Sequence, residues 1–275
     1  MQESVIQAAK DIRIKTFKAI HNAGGGHFGG SLSVSEILAV LYFSVMRIDP
    51  SNPKDPDRDR FIISKGHGGP ALYTALALRG YFPYEDVLAG LDKPLSNFPK
   101  HVDRLKQEGI EASTGPLGQG LSIGCGMAIR FLQQKKQNRV YVLSGDGECN
   151  SGQVWEAAMT AAKYQLNNLI LIIDQNNMQI DGSCDDIMPI QPLDAKFRAF
   201  GWMVRTVDGH NAEEIESVIR EIQELQVDDA RPAAIVAKTI KGHGISFMEN
   251  RPEWHSGKIT NDEYEQGIRE LEGTQ

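Results

Sequence analysis

Cysteine and long hydrophobic segments are both scarce in this sequence. Its three cysteines, Cys125, Cys149 and Cys184, are odd in number and lack the spacing of a metal site, which indicates a reduced, cytoplasmic protein. The longest purely aliphatic run, residues 169–173, is far too short to cross a membrane. Charged residues are mixed into the amino terminus, so it does not have the pattern of a signal peptide. We therefore expect a cytoplasmic protein with no membrane partner.

Basic residues are also fewer than acidic residues. The 275 residues include 29 lysines and arginines against 36 aspartates and glutamates, a formal net charge of −7. This balance argues against nucleic acid or an anionic membrane as the main partner. A phosphorylated ligand would then have to be held by local groups, such as a metal ion, backbone amides or histidines. The chain has no internal repeat, low-complexity tract or linker, so we expect a single domain over residues 1–275.

Hydrophobic periodicity predicts how the chain begins. The helical spacing of apolar residues predicts a first helix up to about His21, which the glycine cluster of residues 24–30 ends. Ser33 and Glu36 have the spacing of a capping box, which predicts the start of a second helix.

Short strands of buried type recur through the rest of the chain, separated by helical segments. The predicted strands are residues 61–63, 139–144, 169–173, 202–207 and 233–237. Asn211 and Glu214 are predicted to cap the helix before the last of them. This alternation predicts an α/β fold with a largely parallel central sheet and helices on both faces.

Polar residues follow two of these strands. Asp146 and Gly147 come after strand 139–144, and Asn176 comes after strand 169–173. Ligands of open α/β sheets bind at the carboxyl ends of the strands, which meet at one edge. Carboxylate and amide oxygens are ligands that Mg²⁺ prefers, and the missing Cβ of Gly147 would let a diphosphate approach the backbone. The pattern therefore predicts a magnesium and diphosphate site.

Longer motifs around these residues resemble those of transketolases. The segment GDGECNSGQVWEAAMTAAKYQLNNLILIIDQNNMQIDG resembles the metal-and-diphosphate motif of thiamine-diphosphate enzymes. Four further segments match transketolase motifs in the same order: GGGHFGGSLS, SKGHGGPALY, STGPLGQGLS and the region around WHSG. The resemblance covers nearly the whole chain, but only the amino-terminal third of a full-length transketolase. It implies the thiamine-diphosphate-binding fold and a split enzyme whose remaining parts lie on another subunit.

The resemblance also implies an activity, cofactors and partners. The activity is the transfer of a two-carbon ketol unit from a ketose phosphate to an aldose or aldose phosphate. It would depend on thiamine diphosphate and on Mg²⁺, which Ca²⁺ or Mn²⁺ could replace. The glutamate that activates thiamine lies on the segment that this chain lacks. The chain is therefore expected to act on sugar-phosphate substrates only with a carboxy-terminal transketolase subunit, in a heterotetramer with two copies of each.

The same resemblance assigns roles residue by residue. Asp146, Asn176 and the backbone carbonyl of Met178 would bind the metal. Four histidines would serve catalysis and the binding of hydroxyl groups or diphosphate: His27, His67, His101 and His255. The residues expected to line the cofactor are His67, Gly115, Leu117, Gly118, Asp146, Gly147, Asn176 and His255.

The chemistry of histidine supports these roles independently of the family. His27 and His67 each follow glycine in a glycine-rich loop, where polar recognition is more common than core packing. A neutral imidazole can accept a hydroxyl proton, and an imidazolium can stabilise a developing oxyanion. His21 is expected to be a surface or capping residue. For His210 and His243, a structural and a functional role stay equally open.

Two residues depart from the transketolase pattern. Ser151 stands where transketolases generally carry a glutamate that links paired sites, which puts communication between sites in question. Phe28 stands where a proline is common, a change that bears on the donor pocket.

Other functions stay open on the sequence alone. The chain could be a component of another thiamine enzyme, such as a deoxyxylulose-phosphate synthase or a 2-oxoacid dehydrogenase, or a non-catalytic regulatory subunit. Gly24, Gly26 and Gly29 fit a dinucleotide-binding fingerprint, but a predicted helix rather than a strand precedes them. A nucleotide-binding module is therefore the weakest alternative.

Overall fold

Five parallel strands form the central sheet of the computed structural model, which describes residues 2–273. The strands are β1 (Arg60–Ile63), β2 (Val140–Gly145), β3 (Leu169–Gln175), β4 (Met203–Asp208) and β5 (Ala233–Lys238). Their order is β1-β2-β3-β5-β4, and each neighbouring pair is parallel. The predicted α/β fold is confirmed, and each predicted strand is present close to its expected bounds.

Helices between residues 2 and 273 flank the sheet. They are α1 (Gln2–Asn22), α2 (Gly29–Leu32), α3 (Ser35–Val40), α4 (Gly69–Arg79), α5 (Tyr84–Gly90), α6 (Gly120–Gln133), α7 (Gly152–Lys163), α8 (Cys184–Ile187), α9 (Leu193–Ala199), α10 (Ala212–Leu225) and α11 (Asn261–Gly273). Shorter helical turns are Leu41–Val45, Gly66–Gly68, Gly147–Asn150 and Pro252–His255. In this described part of the chain, no helix combines the length and apolar character needed to cross a membrane.

Two helix ends bear on the expectations from the sequence, and the predicted cap of α10 is confirmed. The side chain of Asn211 caps α10 by accepting a 3.1 Å hydrogen bond from the Glu214 N–H. His21, in the last turn of α1, stacks on Tyr264 of α11 with 4.0 Å between ring centroids. The half-buried ring therefore packs the end of α1 against α11, and the expected surface or capping role stays a prediction.

The capping box expected at Ser33 and Glu36 is wrong. Helix α3 begins at Ser35, and no side chain caps it. The hydroxyl of Ser33 instead donates to Asp174 at 2.9 Å. The carboxylate of Glu36 accepts a bond from Arg13 at 2.5 Å. Both side chains are recruited by tertiary partners, which override the local capping preference.

Both faces of the sheet are buried because alternate residues of each strand point to opposite sides. In β3, Ile170 and Ile172 share one hydrophobic core with residues of α1, α3, α4 and α10. Leu169, Leu171 and Ile173 share the other core with residues of α6, α7 and α9. Burial on both sides explains why the strand sequence of β3 is almost purely apolar.

The register of the strands gathers their carboxyl ends at one edge of the sheet. Ile63 pairs with Leu143, Gly145 with Asp174, and Gln175 with Lys238. These pairs lie at or next to the last residues of β1, β2, β3 and β5. The loops that follow these four strands therefore start side by side, where a ligand site is expected.

Two glycines of α6 offer a matched test of how closely this helix packs on β2. A Cβ at Gly124 would lie 2.6 Å from Cγ2 of Val142, whereas a Cβ at the exposed Gly126 would have no neighbour within 4 Å. Gly126→Ala should stabilise the protein by ~0.5–1 kcal/mol through helix propensity. Gly124→Ala should destabilise it by ~1–3 kcal/mol through overpacking. Urea unfolding measures both effects, and equal changes would contradict the close approach.

Candidate active site

A cavity of about 380 Å³ opens at the carboxyl edge of the sheet. Ten of the site residues expected from the sequence line it: His27, His67, His101, Gly115, Leu117, Asp146, Gly147, Asn176, Met178 and His255. Gly118 does not line the cavity. Lys65, Glu148 and Lys241 do, although the sequence did not single them out.

Asp146 follows β2 and is only 1% exposed. Its carboxylate accepts hydrogen bonds from the N–H of Gly147 at 2.8 Å and from that of Asn177 at 2.6 Å. Asn177 reaches it with a φ of +57°, a left-handed conformation that asparagine tolerates better than most residues. Burial, and then the neighbouring Asp174, raise the pKa of Asp146 to about 6. A buried carboxylate of this kind is stabilised by a nearby cation.

The amide of Asn176 is oriented by its neighbours. Its Nδ2 donates to Asp174 at 3.0 Å, and its Oδ1 accepts from the N–H of Met178 at 3.1 Å. Because an ionised carboxylate can only accept, the nitrogen must face Asp174 and the oxygen must face away from it. Asn176, Met178 and Asp146 line the same cavity. They bring together hard oxygen ligands of the type that Mg²⁺ prefers.

Asp174, which is fully buried in β3, connects the loops around the cavity. Its carboxylate accepts hydrogen bonds from Lys65, Thr239, Ser33 and Asn176. Burial opposes the ionisation of Asp174, but the positive charge of Lys65 outweighs it and holds the pKa below its usual value. One carboxylate thus fixes the segments that follow β1, β3 and β5.

The loop of residues 115–120 is held by Glu148. The carboxylate of Glu148 accepts from the N–H of Gly118 at 2.7 Å and from the hydroxyl of Ser64 at 2.5 Å. Gly118 has a φ of +86°, and a Cβ there would lie 2.6 Å from that of Ser151. Only glycine fits these two constraints. Gly118 therefore shapes the loop without lining the cavity.

Four histidine rings from separate loops converge in the cavity. The ring centroid of His27 lies 5.6 Å from that of His67, 5.5 Å from that of His101 and 5.3 Å from that of His255. Burial, and then the charge of His101, lower the pKa of His27 to about 4. Burial, and then Lys241, lower the pKa of His255 to about 3. These two rings are therefore neutral near pH 7 and act as hydrogen-bond donors or acceptors rather than as cations.

Two buried lysines complete the cavity. Lys65 is 1% exposed and forms an ion pair with Asp174. Lys241 is 2% exposed; its Nζ donates to the Gln179 carbonyl at 2.7 Å and lies 3.2 Å from Nδ1 of His255. Each lysine begins the tripeptide KGH, and this repeated motif could have marked both of them.

Neither departure from the family pattern lines the cavity. Phe28 is fully buried and packs on Phe17 and Trp254, with ring centroids 5.6 and 6.1 Å away. Its side chain therefore belongs to the core and not to the cavity wall. Ser151 occupies the N-cap position of α7, but its side chain makes no capping hydrogen bond.

Comparisons with known proteins identify the family. Residues 4–274 match the family described as transketolase, thiamine diphosphate binding domain. The chain belongs to the transketolase family. The resemblance drawn from the sequence motifs is therefore confirmed.

Relatives of similar length are named as transketolase subunits. This transketolase-family chain is 47% identical, over 96% of its length, to the 6-deoxy-6-sulfo-D-fructose transketolase subunit SqwG of Clostridium sp. (strain MSTE9), and covers 94% of that protein. It is 43% identical, over 96% of its length, to one of the subunits of an apulose-4-phosphate transketolase from Actinobacillus succinogenes, and covers 94% of that protein. In contrast, it spans only 42% of human transketolase, to which it is 38% identical over 97% of its own length.

Solved transketolases share the fold of this chain. A transketolase from Pichia stipitis superimposes with a TM-score of 0.90 at 29% identity, over 96% of this chain and 40% of that one. The Campylobacter jejuni transketolase gives a TM-score of 0.88 at 28% identity, over 98% and 43% of the two chains. The fold is therefore that of the amino-terminal part of a transketolase.

Two histidines of this transketolase-family chain, whose roles the sequence left open, lie outside the cavity. Glu36, His210 and His243 each place a ligand atom within 4.8 Å of the others, as in a metal site. However, the N–H of Ile240 donates to Nε2 of His210 at 2.8 Å, so the Nδ1 proton of His210 points to Glu36. Arg13 binds the same carboxylate, and the ring of His243 stacks on that of His210. The group is therefore a structural ion-pair network.

Glu36→Gln should reveal this network as a pH-dependent source of stability. Burial opposes the ionisation of Glu36, but Arg13 and His210 outweigh it and hold its pKa at about 2, against an ordinary value of 4.5. The stabilisation is therefore complete above pH 4.5 and is lost as the pH falls through about 2. Breaking a buried pair typically costs about 3–5 kcal/mol.

Urea unfolding at a series of pH values tests this prediction. The variant should be less stable than the native chain at neutral pH, and the difference should shrink towards pH 2. A difference that does not change with pH would contradict the assignment.

Proposed function

We propose that this chain is the thiamine-diphosphate-binding subunit of a two-subunit transketolase. Together with its partner it would transfer a two-carbon ketol unit from a ketose phosphate to an aldose or aldose phosphate. The observation that carries the proposal is how much of each relative the chain covers. It covers 94% of the two proteins named as transketolase subunits, but only 42% of human transketolase. Each relative compared is named as a transketolase or a subunit of one, which favours ketol transfer over other thiamine-dependent reactions.

The donor groups of the cavity fit the expected metal. Asp146 is a buried carboxylate whose pKa is raised by burial and by the neighbouring Asp174, and Asn176 has its amide oxygen turned away from Asp174. These two oxygens and the backbone carbonyl of Met178 would hold Mg²⁺, with Ca²⁺ or Mn²⁺ as substitutes. Such a set of oxygen ligands suits a hard divalent cation.

The remaining cavity residues suit thiamine diphosphate. A Cβ at Gly147 would lie 3.0 Å from the side chain of Gln179, so glycine keeps this part of the cavity open. The residues proposed to contact or shape the cofactor site are His67, Gly115, Leu117, Gly118, Asp146, Gly147, Asn176 and His255. Bound thiamine diphosphate would supply the electron sink needed to break and form carbon–carbon bonds.

The histidines would bind the sugar and handle protons. His27 and His101 would contact hydroxyl groups of the donor, and His67 and His255 the diphosphate or the reacting carbon. The low pKa values of His27 and His255 keep both rings neutral, so each can donate at one nitrogen and accept at the other. Neutral rings of this kind can move a hydroxyl proton at neutral pH.

Exposed apolar side chains support a partner at the mouth of the cavity. Leu117, Ile180 and Ile187 line the cavity, yet they are 41%, 60% and 46% exposed. Apolar groups clustered beside a binding site favour coverage by another protein surface. We propose that the carboxy-terminal transketolase subunit covers them, in a heterotetramer with two copies of each chain. The three free, buried cysteines fit a cytoplasmic location for this assembly.

The purified chain alone should have no ketol-transfer activity, because the pyrimidine-activating glutamate is expected on the partner. Adding the carboxy-terminal subunit, with Mg²⁺ and thiamine diphosphate, should produce activity. Release of the aldose product from a panel of ketose phosphates and related ketoses measures it, and boiled partner is the control. Full activity of the chain by itself would refute the two-subunit proposal.

Asp146→Ala should abolish metal-dependent binding of the cofactor. In the native assembly, cofactor at ~100 times its dissociation constant adds ~2.7 kcal/mol of stability. Melting curves with and without thiamine diphosphate and Mg²⁺ should show this stabilisation for the native protein and none for the variant. The exposed Asp185 lies in the same region of the chain, so Asp185→Ala is a matched control in which the cofactor should still raise the melting temperature. If the cofactor raised the melting temperature of Asp146→Ala as much as that of the native protein, Asp146 would be excluded as a ligand.

A further inference from the structure

Lys241 differs from the other buried lysine of the cavity in its partners. Lys65 has a carboxylate partner in Asp174. Among the described residues, no carboxylate lies within ion-pair distance of Lys241. Its Nζ instead donates to the Gln179 carbonyl at 2.7 Å and lies 3.2 Å from Nδ1 of His255. The ammonium group is therefore directed at a carbonyl and an imidazole.

The backbone around Lys241 is fixed on several sides. The Gly242 N–H donates to the Gly29 carbonyl at 3.1 Å, and the Asn250 N–H donates to the Lys241 carbonyl at 2.9 Å. A Cβ at Gly29 would lie 2.8 Å from Cγ of Lys241, so the lysine stem occupies the space that this glycine leaves free. The position of the ammonium group is therefore built into the fold.

The loop that carries His255 is fixed as well. Gly26 and Gly257 exchange backbone hydrogen bonds of 2.9 and 3.0 Å. A Cβ at Gly25 would lie 2.4 Å from the Gly257 carbonyl oxygen, so the two loops touch through their backbones. The loops that carry His27 and His255 are thus joined directly, which sets both rings relative to Lys241.

The contact between Lys241 and His255 determines where the imidazole carries its proton. An ammonium group can only donate, so the Nδ1 that faces it must be an acceptor without a proton. The single proton of the neutral ring then lies on Nε2. Burial, and then Lys65, lower the pKa of Lys241 to about 8, so Lys241 is still an ammonium group at neutral pH.

We propose that Lys241 is a positioning residue that fixes His255 as a neutral hydrogen-bond donor, through Nε2, to a substrate oxygen. This inference rests on the proposed function and narrows it, because a ring held in this way donates a hydrogen bond and does not take up a proton.

A double-mutant cycle in the assembled enzyme tests whether Lys241 acts through His255. Lys241→Met and His255→Ala should each lower kcat by about 10²-fold, the usual effect of losing one oriented donor. In the double variant kcat should fall less than about threefold below the lower single value, because both changes remove the same interaction. If the loss of kcat in the double variant equalled the product of the two single losses, the proposal would be overturned. Lys238→Met, at an exposed position that ends β5, is the control and should leave kcat unchanged.

The tautomer can be measured without catalysis. In the full chain labelled with ¹⁵N-histidine, the His255 signals should show a protonated Nε2 and an unprotonated, hydrogen-bonded Nδ1 at neutral pH. In Lys241→Met, the Nδ1 signal should move towards that of a free imidazole nitrogen. A proton on Nδ1 in the native chain would overturn the proposal. If the assembled enzyme proved to have no ketol-transfer activity, the proposed function would fail while this measurement still decided the tautomer.

Discussion

The carboxylate of Asp174 is the contact on which the cavity depends. It accepts hydrogen bonds from four residues. Lys65 follows β1, Asn176 follows β3, Thr239 follows β5, and Ser33 precedes α3. A carboxylate this deeply buried is costly to ionise, and the adjacent ammonium group offsets that cost. The same carboxylate that holds the strand ends together also turns the amide oxygen of Asn176 away from itself. The stability of this edge of the sheet and the orientation of Asn176 are therefore set by one group.

Much of the fold was predictable because it follows from local patterns. Most strands are short apolar runs buried on both faces, and the loops after four of them carry the glycines, histidines and polar residues that surround the cavity. Ten of the eleven predicted site residues line the cavity for this reason. Their assignment to metal, cofactor and substrate stays a prediction.

What the sequence did not predict comes from buried pairs between distant segments. Ser33 and Glu36 have ideal capping spacing, yet each finds a partner far away in the chain, in Asp174 and in His210. The pairing of Lys65 with Asp174 likewise joins β3 to the loop after β1. No local periodicity encodes such pairs, because they depend on which strands become neighbours and on how much water is excluded there.

The backbone bridge between Gly26 and Gly257 has a consequence for how the protein is made. The two loops that it joins come from near the start and near the end of the described chain. During translation, all five strands leave the ribosome before residue 257 does. A nascent chain could thus form its sheet first, and the ring of His255 would join those of His27, His67 and His101 only after the loop that carries it had also emerged.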